Sequence, residues 1–476
     1  MQMISLVFFL FVAILFFLLW ILQKTVKNGS LANRVSKWIL LFASYLFVVY
    51  ADWRFAAVLA LLTLSTWLCA KYKRFTGLGI VASVLVLGVF KYFNFFAASF
   101  TALFGTDAIV LRLILPLGIS FYTFSAIGYL VDVKRQKQEA RGLIDLALYL
   151  SFFPKLTSGP IQKSGEFFKQ LDAYRPLGFE RLSQGVQIFA FGLFKKIVLA
   201  DHLSVFVGQV YQTPEVFGSL TVALAAFAYS LQIYFDFSGY SDMAIGTAKI
   251  LGFDLPRNFN LPYLAHNVTE LWKRWHITLS AWLQEYLYIS FGGNRKGKAR
   301  TYLNLFLTMV IGGLWHGANW TYLIWGALHG LALAVHKVWM TLTHSAEKKH
   351  KTLSNLLSIA ITFLFTTICW IFFRADSLEH ALRILGRIFA FCGGLEQPYL
   401  WFFVGLVVLI ACSIAALLRS KAAKSALKKQ NFSFVDGYYP LLDLKKFRHL
   451  LLFFVFCGLI LCLAYTGGSP FIYGNY

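Results

Sequence analysis

Apolar stretches long enough to cross the ~30 Å hydrocarbon core of a bilayer recur along this chain, and no other feature limits its architecture so strongly. They occupy residues 4–22, 38–50, 55–70, 78–100, 109–133, 185–211, 217–235, 353–373, 399–418 and 450–465. With 58% hydrophobic and only 14% charged residues among 476, the chain departs from solvated globular proteins, whose charged share is ~25%. It reads as an all-α polytopic membrane protein. The first run has neither a preceding basic region nor a small-residue cleavage site, so it is expected to remain as a first span.

The net charge of +23 could suggest nucleic acid. The basic residues sit instead in short loops between apolar runs, the distribution that the positive-inside rule produces. Lys24, Lys27, Arg34 and Lys37 follow the first run, Lys71, Lys73 and Arg74 the third, and Lys134, Arg135, Lys137 and Arg141 the fifth. With the basic residues between 421 and 448, this alternation puts these loops in the cytoplasm and both termini outside. The cysteines have no paired metal spacing, and neither a disulfide framework nor a metal site is read from them. No internal repeat is present.

Several runs are interrupted. Pro116 and Gly118 should bend or break the fifth, and 153–160, with Pro154, Gly159 and Pro160, reads the same way. Such pieces line cavities or are packing kinks. Lys195 and Lys196, midway through 185–211, suggest two short helices meeting at the cytoplasmic face. Asp236 and Asp242, around Ser238 and Gly239, invite pairing with buried Lys or Arg. Residues 378–391 read as an interfacial helix.

Two blocks carry the chemistry: Thr269 to Arg295 and Gly312 to Gly330. The first reads as one amphipathic helix with Trp272, Trp275, Leu279, Leu283 and Tyr286 on its apolar face and His276 at the margin. In the second, His316 falls on the order of 15 Å of helical rise from the basic boundary, near mid-membrane. An ionisable side chain at that depth is a functional candidate by default, and imidazole exchanges protons near neutral pH. His329 and His336, further along, read as core polar groups.

The order of motifs, ILPLGISFYTF, FFPKLTSGPI, YFDFSGYSD, RWHITLSAWL and GLWHGANWT, resembles the membrane-bound O-acyltransferase family. Within it, the likeness is to the bacterial branch that O-acetylates alginate and peptidoglycan. The resemblance implies a single integral-membrane domain whose core, about 110–340, sets re-entrant and interfacial helices around a central funnel. Spans at 1–105 and 350–466 would flank that core, and residues 467–476 would form an extracytoplasmic tail. It implies His316 as catalytic histidine with His276 as its second, and Trp315, Asn319, Trp275, Arg274, Asp236 and Ser238 as substrate-binding or cavity-lining residues. Tyr473 matches the tyrosine of a terminal Phe-Ile-Tyr and becomes an acyl-relay candidate, against a frayed terminus. Acetyl-CoA is the implied donor, with no bound cofactor or metal. The implied setting is the bacterial inner membrane and its lipids, a periplasmic esterase-like partner and an envelope polysaccharide. Two alternatives stay open: D-alanyl transfer to teichoic acid from a carrier-protein thioester, and a polysaccharide or lipid transporter.

Overall fold

A computed structural model describes residues 3–105, 110–173, 176–343, 352–396, 405, 442–467 and 471–472. Among these the regular structure is entirely helical. Among the described residues seven helices are long and apolar enough to cross a membrane, and the chain is a multi-pass membrane protein. The expected run at 399–418, most of the tail and Tyr473 lie outside the described residues.

The first three spans are α1 (Leu6–Thr25), α2 (Gly29–Ala51) and α3 (Trp53–Lys71). Asp52 alone separates α2 from α3, and its carboxylate accepts from the Arg54 N–H to start the second arm of the hairpin. The fourth span joins α4 (Thr76–Leu87) to α5 (Phe93–Phe104) through a π-helical turn at Gly88–Tyr92. The fifth run is broken where its proline predicts. Its helix, α6 (Ile119–Lys134), begins only after Gly118, which is left-handed at φ 74°. Residues 110–117 are not helical. The short α7 (Leu143–Ser151), α8 (Phe153–Leu156) and α9 (Ser164–Asp172) follow.

At the centre stands α12 (Ser219–Ile250), 32 residues long. It packs on α10 (Phe179–Leu193), which continues through a π-helical segment, Phe194–Ala200, into α11 (Asp201–Gln212). Contact is close because glycines face each other: a Cβ on Gly192 would stand 2.5 Å from the Gly239 carbonyl oxygen. This corrects the expectation for Lys195 and Lys196. The run stays continuous, and both lysines turn into the protein to meet carboxylates of α12. Lys195 pairs with Asp242 at 2.6 Å, while Lys196 pairs with Asp236 at 2.8 Å and with Asp201 at 2.7 Å. Burial without a counter-charge would be costly, so lysines and aspartates enter together.

The Thr269 block is also corrected, since it is not one helix. The first piece, α13 (Val268–Arg274), ends at extended Trp275; His276 is left-handed, with φ 41°; and α14 (Ile277–Trp282) runs on into a π-helical turn, Leu283–Tyr288. The inward face was nonetheless legible, for Trp275, Leu279, Leu283 and Tyr286 are buried. Beyond lie α15 (Lys298–His316), α16 (Trp320–Leu342), α17 (Thr352–Arg374), the amphipathic α18 (Leu378–Phe389) and α19 (Phe447–Leu463). A Cβ on Gly326 of α16 would come within 2.4 Å of the Met309 carbonyl oxygen of α15. That approach packs the two helices closely.

Candidate active site

Local backbone geometry turns both histidines inward. His276 occupies a left-handed conformation that costs a non-glycine residue energy, and a clamp from residues 258–260 holds it there. The Ile277 N–H donates to the Asn258 carbonyl and the Asn260 N–H to the Arg274 carbonyl, each at 2.9 Å. The Asn258 side chain accepts from Thr278 Oγ1 at 2.5 Å and donates to Ser241 Oγ at 3.1 Å. His316 is the last residue of α15, where the chain turns at Gly317 into α16.

The two imidazole centroids lie 6.3 Å apart, and the rings are 0% and 2% exposed. Aromatic side chains enclose them. Phe237 meets His276 edge-on at 4.7 Å; Trp315, Trp325 and Phe373 surround His316 at 4.9–5.3 Å.

Beside the pair lies a cavity of about 370 Å³, lined among others by Gly128, Tyr149, Lys163, Arg257, Thr278 and Trp282. Lys163 and Lys137 both bond Glu285 near its mouth. Burial pushes the Glu285 carboxyl up, but these two ammonium groups outweigh it and hold it below the usual glutamate range. The cavity stops short of the imidazoles. Trp282 stacks on Phe124 at 3.8 Å, and Phe124 on Trp315 at 5.1 Å. On this side a three-ring stack stands between the cavity and His316.

Residues 471 and 472 also contact α12. The Ile472 N–H donates to Asp236 Oδ2 at 2.9 Å, and Phe471 stacks on Tyr240 at 4.3 Å. Asp236 lies 14 residues before the end of α12, roughly 20 Å of helical rise from that end.

The remaining expected residues divide. Trp315 and Trp275 pack in the aromatic shell, Trp315 through its indole N–H to the Ser120 carbonyl and Trp275 against Trp370 at 4.8 Å. Ser238 is buried on α12. Arg274 is engaged with Glu270 at 2.7 Å and the Asn260 carbonyl and does not line the cavity. Asn319 caps α16 and donates to the Asp376 carbonyl. His336 bonds Thr269 at 2.8 Å. His329 sits among Trp272, Trp325 and Phe365, with no hydrogen bond to either ring nitrogen among the described residues, so it is not the satisfied polar group expected.

Sequence reasoning passed over Lys91, Asn258 and the Phe124–Trp282 stack. A lone lysine inside the apolar run at 78–100 was the available signal for the first; Asn258 and the stack depend on contacts that only folding creates.

Residues 2–375 match the profile of the membrane-bound O-acyltransferase family. The chain is 42% identical over 379 residues to a probable alginate O-acetylase of Pseudomonas putida, covering 75% of this chain and 76% of that protein. It is 41% identical over 342 residues to a peptidoglycan O-acetyltransferase of Helicobacter pylori, covering 66% of this chain and 64% of that one. Identity to a teichoic acid D-alanyltransferase of Bacillus subtilis is 27% over 289 residues, 56% of this chain and 71% of that one. The chain is an O-acyltransferase enzyme, and the protein belongs to the membrane-bound O-acyltransferase family.

Proposed function

We propose that this enzyme takes an acetyl group from cytosolic acetyl-CoA and delivers it, through a periplasmic esterase-like partner, to a polysaccharide hydroxyl outside the bacterial inner membrane. One observation carries the reading: the His276–His316 pair is linked through Trp315 to Phe124 of the cavity and through Phe237 to Phe471. Lys163 and Arg257 suit phosphate groups at the cavity mouth, and the aromatic interior suits a slender thioester arm. Relatives named for alginate and peptidoglycan support an envelope polysaccharide as acceptor.

In this reading the acceptor oxygen attacks the thioester carbonyl carbon; a C–O bond forms and the C–S bond breaks. His316 takes the hydroxyl proton and returns it to the leaving thiolate, so no net proton is consumed. His276 positions the carbonyl. The aromatic enclosure excludes water, which would otherwise hydrolyse the thioester. The Trp282–Phe124 pair must part for an acyl group to pass. Tyr473 directly follows Ile472, and a phenyl ester, with a better leaving group than an alkyl ester, would serve as the outward relay.

His316→Ala should abolish release of CoA from acetyl-CoA by reconstituted protein, and envelope O-acetylation in cells, with membrane insertion unchanged. Undiminished acetylation would overturn the reading. Consumption of a D-alanyl carrier-protein thioester in place of acetyl-CoA would move the enzyme to the D-alanyl branch. For Tyr473→Phe, normal polymer acetylation with no acyl adduct on the wild-type terminal peptide removes the relay.

A further inference from the structure

The fourth span turns mostly outward, yet it sends one charged side chain toward the site. Its buried positions step by four residues, Gly79, Ser83, Leu87, and then by five to Tyr92. The five-residue step is the π-helical turn, whose extra residue lets a helix re-aim a side chain without breaking. Lys91 lies in that turn, beside the buried stripe. Its ammonium donates to the Trp315 carbonyl at 2.6 Å, to the His316 carbonyl at 3.4 Å and to Ser120 Oγ at 3.1 Å.

Those carbonyls close α15, and the last carbonyls of a helix have no partner within it. A cation at that end also meets the negative pole of the helix dipole. Lys91 thus brings a charged donor to the turn that carries the His316 ring. We infer that Lys91 is a positioning residue for acyl transfer: it pins the Trp315 and His316 carbonyls and thereby sets where the imidazole stands relative to the reacting carbonyl. Lys91 itself touches neither the ring nor the cavity. The inference rests on the proposed role of His316.

The test compares Lys91→Met, Lys91→Arg and His316→Ala in reconstituted protein with acetyl-CoA as the probe. A ring displaced by ~1 Å loses on the order of 100-fold in rate. Lys91→Met should therefore lose about that much kcat with KM for acetyl-CoA unchanged, and Lys91→Arg, which keeps charged donors, should recover at least about tenfold of the loss. If Lys91→Met does not remain monodisperse, Lys91→Gln, which keeps a neutral donor, is judged by the same split. A wild-type kcat in either neutral variant, or a matching change in KM, overturns the role of Lys91 while an inactive His316→Ala leaves the site reading standing. An active His316→Ala overturns both.

Discussion

Replacing Lys196 with methionine isolates the electrostatics of the central helix pair. The lysine is the cation between Asp201 and Asp236, and the three side chains are only 4%, 2% and 2% exposed. Methionine fills most of the same volume, so what changes is charge. Two carboxylates then face each other within a packed interface, and breaking a buried pair in this way costs about 3–5 kcal/mol. An upper bound comes from the alternative open to the protein. Delivering one proton at about pH 7.5 to a carboxyl of ordinary pKa ~3.9 costs about 5 kcal/mol, so the penalty should not exceed that figure by much. Reversible unfolding in mixed micelles, followed by tryptophan emission, measures it. The triple variant Lys196→Met, Asp201→Asn, Asp236→Asn, which leaves no charge at the cluster, should come back to within about 2 kcal/mol of wild type. A single variant within about 1 kcal/mol of wild type would refute the argument, because it would mean that the carboxylates do not depend on the lysine.

Two more expectations follow from the packing and the loops. Gly326→Ala drives a methyl group into the Met309 carbonyl, for a loss of about 1–3 kcal/mol; because α15 is displaced, turnover should fall more steeply than unfolding free energy, which parallel activity and denaturation measurements check. Burial raises the Asp254 carboxyl, but its bonds to Lys249 and Arg181 outweigh this and hold it below its ordinary value of 3.8. Such a group contributes stability above its unfolded pKa and loses it as pH falls through the lower folded value. Thermal stability should therefore drop below about pH 4, and Asp254→Asn should flatten that acid limb; an unaltered limb in the variant would place the acid sensitivity elsewhere.

What could be read from the sequence was what depends on neighbours along the chain. Pro116 and Gly118 announced the break ahead of α6, and the spacing of Trp275, Leu279, Leu283 and Tyr286 the inward face of their block. The aspartates of α12 were read as partners for buried cations, and Lys195 and Lys196 supply them. Those lysines were themselves misread because a charge in an apolar run looks like the edge of a membrane until its partner is known, and Asp236 lies 40 positions from Lys196. The distance is greater for Lys91, whose acceptor on Trp315 is 224 residues away. The left-handed turn at His276 follows from a clamp formed by Asn258 and Asn260, which periodicity alone cannot register.

That turn also bears on how genetic experiments at this position should be interpreted. Because residue 276 has the handedness that asparagine tolerates better than other side chains with a β-carbon, swapping in alanine alters backbone preference and chemistry at once. Asparagine retains the bend while deleting the imidazole, so that swap, unlike alanine, attributes a defect to the missing ring and not to a straightened chain.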